Sequence, residues 1–586
     1  MGTWEQLKGD FATATGNDLE RLVLPIGRLF WRNLTRPTKL REYDRAGVDL
    51  AEVAPDGSLK IAMQCKGFFA SRQLEEGHYK QIEDSIDKFI ASPLTCDEYV
   101  LFHNQTGENA EITKQIAQKL RHLVVLGKAK TTRLWDRQTI VRDARKRMDE
   151  VLTARLREET AALLAQVTGI FRFGAVHIAD VPYSEHRLTL VRYEAPKIEP
   201  ANPKAAGVLS DVVVRDAAKN WTLLTGLFGS GKSTAALHAA LDTHHSVAFV
   251  RCADIEFQYG FGGTNALLRR VTQSLHLFDD YDDEDRKMLE ILSGPALRVV
   301  LSRPKSGAVL ILDGLDENRA FFDSEGVTRL VNALAELRCS IVLTTRQEHF
   351  DATYGNFEQI INELARNREA RLLKVEPWGK TQTSEFLKAA AALTSGIEQR
   401  RLMDLATDVQ AGAATVWPDE LLGHPLFLQM IAELTAEGDV PKGTVGKVLE
   451  SWISQKIMRD LRVPRALPIA VHNRAAFADQ VMMLMEQVAA AMITRTLQGF
   501  ELNETVDSTE VVRLAENVLG AANLDIAAIC GVSLLVPVTQ RRKANVPMRF
   551  SHRVFQEFFA ARHFLAAKTA AELVPPATSR LMGDLK

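Results

Sequence analysis

The sequence predicts an α/β protein of several domains: an N-terminal α/β module, a second α/β module on a parallel sheet, and a helical remainder. Three observations carry this. The chain has 586 residues, too many for one ordinary hydrophobic core. Short, wholly apolar runs (WTLLT, SVAFV, AVLIL, SIVLT and RLLKV) alternate with helical segments between residues 221 and 375, as strands buried on both faces of a parallel sheet do. After about residue 378 the pattern is almost wholly helical, interrupted by a strand-like pair, SLLVPVTQ and VPMRF, near residues 533–550.

Residues 1–145 mix helical and strand patterns and form the first domain. Residues 146–170 read as one long amphipathic connector helix. VRYEAPKIEPANPKAAG, with Pro196, Pro200 and Pro203, reads as a linker ending near Gly207. The expected division is therefore 1–145, a connector and linker over 146–204, a parallel-sheet domain over 205–377, a helical domain over 378–445, and a C-terminal region over 446–586.

A formal net charge of −2 excludes a protein that coats nucleic acid non-specifically. Nucleic-acid contacts would need local patches such as RPTKLREYDR (36–45) or RDARKR (142–147), which read equally well as solvated faces. Cys65, Cys96, Cys252, Cys339 and Cys530 show no CxxC spacing, so neither a zinc site nor a disulfide framework is indicated. The N-terminus has no signal-peptide pattern, no stretch reaches membrane-spanning length, and Gln6 spoils a myristoylation signal at Gly2. A cytoplasmic protein without a membrane partner is expected.

GLFGSGKS, from Gly226 to Ser233, follows the strand WTLLT and precedes the helical segment TAALHAAL. It matches G-x-x-x-x-G-K-[ST] in full, in the strand–loop–helix context the motif needs. Gly226, Gly229, Ser230 and Gly231 permit a backbone path whose N–H groups turn toward phosphate oxygens, and Thr234 continues into the helix N-terminus. Lys232 is expected on the β- and γ-phosphates and Ser233 on Mg²⁺. AVLILDGLDE places Asp313 at the C-terminal edge of the sheet, where it can hold Mg²⁺ through water. Asp316 and Glu317 are candidates for orienting an attacking water. Arg346, ending SIVLTTR, could sense a γ-phosphate or be a surface arginine.

In the first domain, two strand-like runs flank Asp56-Gly57, a two-residue hairpin signal. That turn sets Asp49 opposite Gln64, with Lys66 on the same face one step along. Val48, Leu50, Met63 and Cys65 take the other face and read as core. A polar cluster on a buried hairpin needs a reason; the plain alternative is a core hairpin with a surface ion pair.

The hairpin cluster resembles the PD-(D/E)xK nucleases, most of all their Mrr-type restriction endonuclease branch, over residues 10–140. The resemblance implies a restriction-endonuclease-like fold and a Mg²⁺-dependent DNA endonuclease. Asp49 and Gln64 would sit at the metal, Lys66 would position or activate the attacking water, and Glu20 of NDLERLVLPIGRLF would be a further metal ligand. LILDGLDE, with its acidic pair after Asp313, resembles the NACHT branch of the STAND NTPases, over residues 205–570. That resemblance implies an ATP/ADP switch. Pro425 of GHPLFLQMIA would pack near the adenine, and FSHRVFQEFFAARHFL would be a winged-helix segment whose His552 contacts the ADP β-phosphate in the closed state. Read without the family, this last segment is an amphipathic helix with Phe555, Phe558 and Phe559 in the core.

Together the resemblances imply a nucleotide-switched endonuclease of prokaryotic antiviral defence. It would act on double-stranded DNA, form a homo-oligomer on activation, and respond to an unidentified trigger ligand or phage protein. Two alternatives stand beside it: an NTP-dependent restriction enzyme that remodels or translocates on DNA, and a non-cutting scaffold that binds ATP and DNA. STAND proteins usually carry a repeat-built sensor after the winged helix. Either such a sensor lies outside this sequence, or the helical remainder or a partner does the sensing.

Overall fold

A computed structural model describes residues 3–37, 41–68, 73–106, 109–176, 183–189, 197–202, 220–227, 229–242, 247–255, 263–275, 278, 281–302, 308–321, 324–352, 369–413, 417, 419–439, 444–460, 474–496, 499–520, 524, 526–538 and 546–566. They form a mixed α/β protein with parallel sheets. The chain divides into two compact units. One comprises Met1–Leu156, Phe257–Arg303 and Asn332–Leu337; the other comprises Arg157–Glu256, Pro304–Val331 and Arg338–Lys586.

The first unit holds a four-stranded sheet, β1 (Leu50–Val53), β2 (Leu59–Lys66), β3 (Cys96–His103) and β4 (Ala129–Trp135), in that spatial order. The first pair is antiparallel and the other two are parallel. The parallel pairs need crossovers, which the helices Glu76–Ala91 and Ala110–Val125 supply. Ala51, Ala62, Tyr99 and Leu101 meet Ile86 and Ile116 of these helices in one core. Helix Gly16–Arg28 also buries an apolar stripe, Leu19, Val23 and Ile26.

The hairpin has the expected register, with Leu50 opposite Met63. Its turn is longer than the two-residue turn expected from Asp56-Gly57. The register shifts between Glu52 and Val53, and Ala54 N donates to Ser58 O at 2.8 Å. The Asp56 carboxylate accepts from Ser58 N at 2.9 Å, which favours a local side-chain turn over a tight one.

Helices Thr264–Ser274 and Asp283–Ser302 also belong to this unit. Arg28, at the end of the Gly16–Arg28 helix, reaches the Asp282 carboxylate at 2.5 Å and pairs with the buried Asp285. The connector helix begins earlier than its sequence pattern suggests and runs Arg137–Thr168.

In the second unit a seven-stranded sheet comprises β5 (Tyr183–Thr189), β6 (Lys197–Asn202), β7 (Asn220–Gly226), β8 (Val247–Arg251), β9 (Val309–Asp313), β10 (Ser340–Thr344) and β11 (Glu369–Val375). Their spatial order is β6-β5-β11-β7-β10-β9-β8. The five strands expected from apolar runs form its parallel part. β5 and β6 extend one edge antiparallel. β6 lies within the proline-rich stretch expected to be linker, because an edge strand tolerates a proline such as Pro200. The flanking residues 190–196 and 203–219 lie outside the described residues.

Beyond β11, helices Lys380–Ala392, Gly396–Ala411, Pro425–Glu437, Val445–Asp460, Arg474–Ala491 and Arg553–Ala566 share one large core. Phe555, Phe558 and Phe559 are buried in it, and Phe555 stacks on Trp452 at 5.5 Å. Short strands interrupt this region: β12 (Ile493–Thr496) with β13 (Gly499–Leu502), then β14 (Val506–Asp507), β15 (Leu535–Pro537) and β16 (Pro547–Phe550) in the order β14-β16-β15. The expected strand pair near 533–550 is β15 and β16. Among the described residues, no helix is long and apolar enough to cross a membrane.

Candidate functional site

β7 leads into a loop and then the helix Lys232–Asp242, so the P-loop sits at the C-terminal edge of the parallel sheet. Gly229 and Gly231 have φ of +71° and +85°, a region that side-chain-bearing residues rarely occupy. A Cβ on Gly226 would lie 3.0 Å from Ser230 Oγ and 3.1 Å from Val375 Cβ, so the turn packs too closely for a larger residue. The Lys232 ammonium donates to Gly226 O at 2.7 Å and Leu227 O at 3.0 Å, which folds it against its own loop.

Ser233 Oγ donates to Asp313 Oδ1 at 3.0 Å, and Thr344 Oγ1 donates to the same oxygen at 2.7 Å. Burial raises the Asp313 carboxyl, while these two hydrogen bonds pull it down. A hydroxyl and a carboxylate so placed at a phosphate cradle fit a Mg²⁺ ion bound with the nucleotide. Gly314, at φ +74°, turns the chain so that Asp316 and Glu317 follow in a 3₁₀ turn. Asp316 is occupied in holding Arg346: it accepts from Arg346 N at 3.0 Å and pairs with Nε at 3.1 Å. Burial and the neighbouring Asp316 and Asp313 charges push Glu317 up to about 7. Glu317 is therefore the better poised of the acidic pair for proton transfer.

Pro425 packs against the P-loop, 3.4 Å from where a Cβ on Gly231 would stand. His552 lines the same cavity, as do Arg549, Ser551 and Arg553 around it. Its Nδ1 accepts from Val554 N at 3.3 Å, which places the proton of the neutral ring on Nε2. Burial and the Arg346, Arg251 and Lys232 charges hold His552 down at about 3. Arg549 Nη1 donates to both carboxylate oxygens of Asp254, at 2.8 and 3.0 Å. The cavity, about 220 Å³, thus draws on residues from the connector helix to the last described helix.

Four charged residues of this cavity are absent from the sequence reading: Arg251, Glu504, Arg549 and Arg553. Arg251 ends β8 at the edge where Asp313 ends β9, and the two are register partners. The strand SVAFVR held that signal. Glu504, Arg549 and Arg553 had none, because only folding brings them to the P-loop.

Glu504 carries a pH prediction. Burial and the Glu317 charge push it from an ordinary 4.5 up to about 8. The folded state then holds a proton that the unfolded chain releases above about pH 4.5. Its contribution to stability accordingly falls as pH rises from about 4.5 through about 8. Nucleotide-free Glu504→Gln is expected to match wild type near pH 4.5 and to gain on it progressively toward pH 8, in denaturant melts at several pH values. A constant difference across that range would refute the assignment.

In the first unit, the Asp49 carboxylate accepts from Cys65 N at 2.7 Å. Burial raises Asp49, opposed by that hydrogen bond and by Lys66. Burial lowers Lys66, opposed by Asp49. Glu20 pairs with Arg36 at 3.6 Å, and burial and the Asp49 charge raise it. Asp49 therefore stands in electrostatic contact with both Lys66 and Glu20. Gln64 is buried and engaged elsewhere: its Nε2 donates to Gly47 O at 2.7 Å, and Tyr99 OH donates to its Oε1 at 3.0 Å.

Among the described residues, no three His, Cys, Asp or Glu side chains group to hold a metal alone. A Mg²⁺ ion asks for less, one or two carboxylates with water and substrate phosphate. Asp49 and Glu20 fit that smaller role, since a cation would offset both the burial and the Asp49 repulsion that raise Glu20. Gly47, at φ +71°, lies under Gln64: a Cβ there would meet Gln64 Nε2 at 2.8 Å. Gly47→Ala is expected to cost about 1–3 kcal/mol, from left-handed strain and displacement of the carboxamide. Urea denaturation measures it, and a neutral effect would mean Gln64 is not held there.

No family model matches the chain, and no curated protein matches it. Among solved structures it is similar to a Walker-type ATPase of Pyrococcus abyssi, at 14% identity over 58% of this chain and 90% of that one, with a TM-score of 0.27. It is also similar to the ORC2 protein of Aeropyrum pernix, at 13% identity over 61% and 93%, TM-score 0.30. A third likeness is to the ORC1 protein of Aeropyrum pernix in complex with DNA, at 15% identity over 61% and 91%, TM-score 0.23. Likenesses this distant assign neither a family nor an activity.

Proposed function

We propose that the second unit is an ATP/ADP-binding switch and that it controls a Mg²⁺-dependent DNA endonuclease in the first. One observation carries the switch: Lys232, Arg251, Arg346, Arg549, Arg553 and His552 line a single cavity with the P-loop glycines. Asp313, Asp316, Glu317 and Glu504 line the same cavity and offset part of this charge. The lining therefore suits a ligand that carries both signs, as a nucleoside triphosphate or diphosphate with Mg²⁺ does: phosphates for Lys232 and the arginines, and the cation for Asp313. The hydroxyls of Ser230 and Ser551 support this reading, being buried without a hydrogen-bond partner among the described residues.

The cavity also draws in the C-terminal segment that contains His552, so nucleotide binding and the position of that segment are linked. Conversion of ATP to ADP with Glu317 as base, followed by rearrangement around His552, Arg549 and Arg553, is the proposed switch. The nuclease reading rests on Asp49, Lys66 and Glu20, a carboxylate pair with a half-buried lysine beside the sheet. Lys66 would position water or stabilise charge on the scissile phosphate, and Asp49 and Glu20 would hold the ion that polarises it. Antiviral defence, oligomerisation on activation and an external trigger follow from the pairing of a switch with a nuclease that must stay off in the host.

Titration of the full chain with fluorescent ATP and ADP analogues, with and without Mg²⁺, tests the switch. Micromolar or tighter binding is expected, and absence of binding overturns the reading. ATP-dependent change in oligomer size with intact DNA would favour the scaffold alternative instead.

A further inference from the structure

The phosphate end of the cavity is rich in charge, and its other walls are not. Val167, Phe171, Val176, Trp378 and Phe386 form an apolar and aromatic lining suited to a flat heterocycle. Two hydrogen bonds hold part of this wall in place. The buried Glu433 carboxylate accepts from Arg172 N at 2.5 Å and from Trp452 Nε1 at 2.8 Å.

Gln429 also lines the cavity. It follows Pro425 by one turn of the helix Pro425–Glu437, so both lie on one face, with Gln429 about 6 Å further from the helix end that meets the P-loop. Its Oε1 is buried and makes no hydrogen bond among the described residues; the same holds for Trp378 Nε1. A buried carboxamide oxygen left unpaired costs stability, and a native structure keeps one where a ligand satisfies it.

We infer that Gln429 is the residue that reads the nucleotide base and that it selects adenine. This rests on the reading of the cavity as a nucleotide site. A carboxamide offers an acceptor and a donor side by side, matching the N6 amine of adenine and its neighbouring ring nitrogen. Trp378 Nε1 supplies a second donor for another ring nitrogen. Guanine presents the opposite inventory: its N1–H and N2 amine are adjacent donors, whereas at the apolar wall the unpaired buried atoms are the acceptor Gln429 Oε1 and the donor Trp378 Nε1, the Ser230 and Ser551 hydroxyls standing with the P-loop and His552. Against the apolar wall one guanine donor stays unpaired, and sites built to pair polar groups reject such mismatches strongly.

The experiment displaces a fluorescent ATP analogue from the full chain with ATP, GTP and purine riboside triphosphate, the last lacking the N6 amine. Wild type is expected to bind ATP about 10-fold or more tighter than either competitor. Gln429→Leu is expected to bind ATP and purine riboside triphosphate alike, within about 2-fold. Gln429→Glu, which can only accept, is expected to shift the preference toward GTP. The wild-type comparison needs no mutant to fold. Equal binding of all three triphosphates by wild type, or an undiminished ATP preference in Gln429→Leu, overturns the base assignment and leaves the phosphate site standing. Failure of every nucleotide to bind overturns both.

Discussion

Lys232→Ala is expected to weaken ATP and ADP binding by about 100-fold or more, the loss of charge-assisted bonds of about 1.5–3 kcal/mol each at the phosphates. Lys232 donates to Gly226 O and Leu227 O. On binding, it exchanges these neutral acceptors for phosphate oxygens, and the gain is the difference between the two. Alanine removes that gain while the P-loop keeps its path, since Gly229 and Gly231 set the backbone. Thermal unfolding without nucleotide should therefore change little, whereas the rise in melting temperature that ATP gives wild type should vanish. Unchanged affinity in the mutant would place the nucleotide elsewhere.

Arg346 bears on why the proposed switch would need more than a P-loop. Arg346 stands at the strand edge where a γ-phosphate sensor is expected, yet Asp316 holds it at 3.1 Å and Glu557 lies 3.8 Å away. Glu557 in turn pairs with Arg553, beside His552. An arginine turned onto a nucleotide would have to leave these carboxylates, which come from the 3₁₀ turn Leu315–Glu317 and from the last described helix. The same residue can thus report the phosphate and the placement of the C-terminal segment, in one exchange of partners.

Local patterns were readable in the sequence wherever one stretch carried the whole signal. The five parallel strands were legible because each is a continuous apolar run, and the hairpin register followed from two runs around one turn. Misreadings came where a distant partner decides the outcome. Lys197–Asn202 contains Pro200 and reads as linker; it is a strand because β5 offers it an edge. β12, β13 and β14 are too short to show a period, and antiparallel partners define them. Of the expected nucleotide site, the P-loop, Asp313 and Asp316 were local motifs, while Pro425 and His552 rested on family resemblance. Gln429, Glu504 and Arg549 could not be found that way. Each is an ordinary polar residue whose meaning lies in what it faces across the cavity.

The proposed nuclease of the first unit would separate chemistry from support in a way that mutation should expose. Lys66→Ala is expected to reduce Mg²⁺-dependent plasmid cleavage about 1,000-fold or more, the scale of losing a charged group that acts on the transition state. Burial already disfavours the Lys66 ammonium, so its removal should leave folding stability unchanged or slightly higher. Asp49→Asn keeps an acceptor for Cys65 N and should lose cleavage to a similar degree, because only the charge is removed. Gln64→Ala should behave differently. It strips partners from Gly47 O and from the buried Tyr99 hydroxyl, and is expected to cost about 2–4 kcal/mol of stability. Cleavage that survives in Gln64→Ala at low temperature, and is absent in Lys66→Ala, would make Gln64 a prop and leave Asp49, Lys66 and Glu20 as the working groups. Cleavage that survives in Lys66→Ala would remove the nuclease from this sheet altogether.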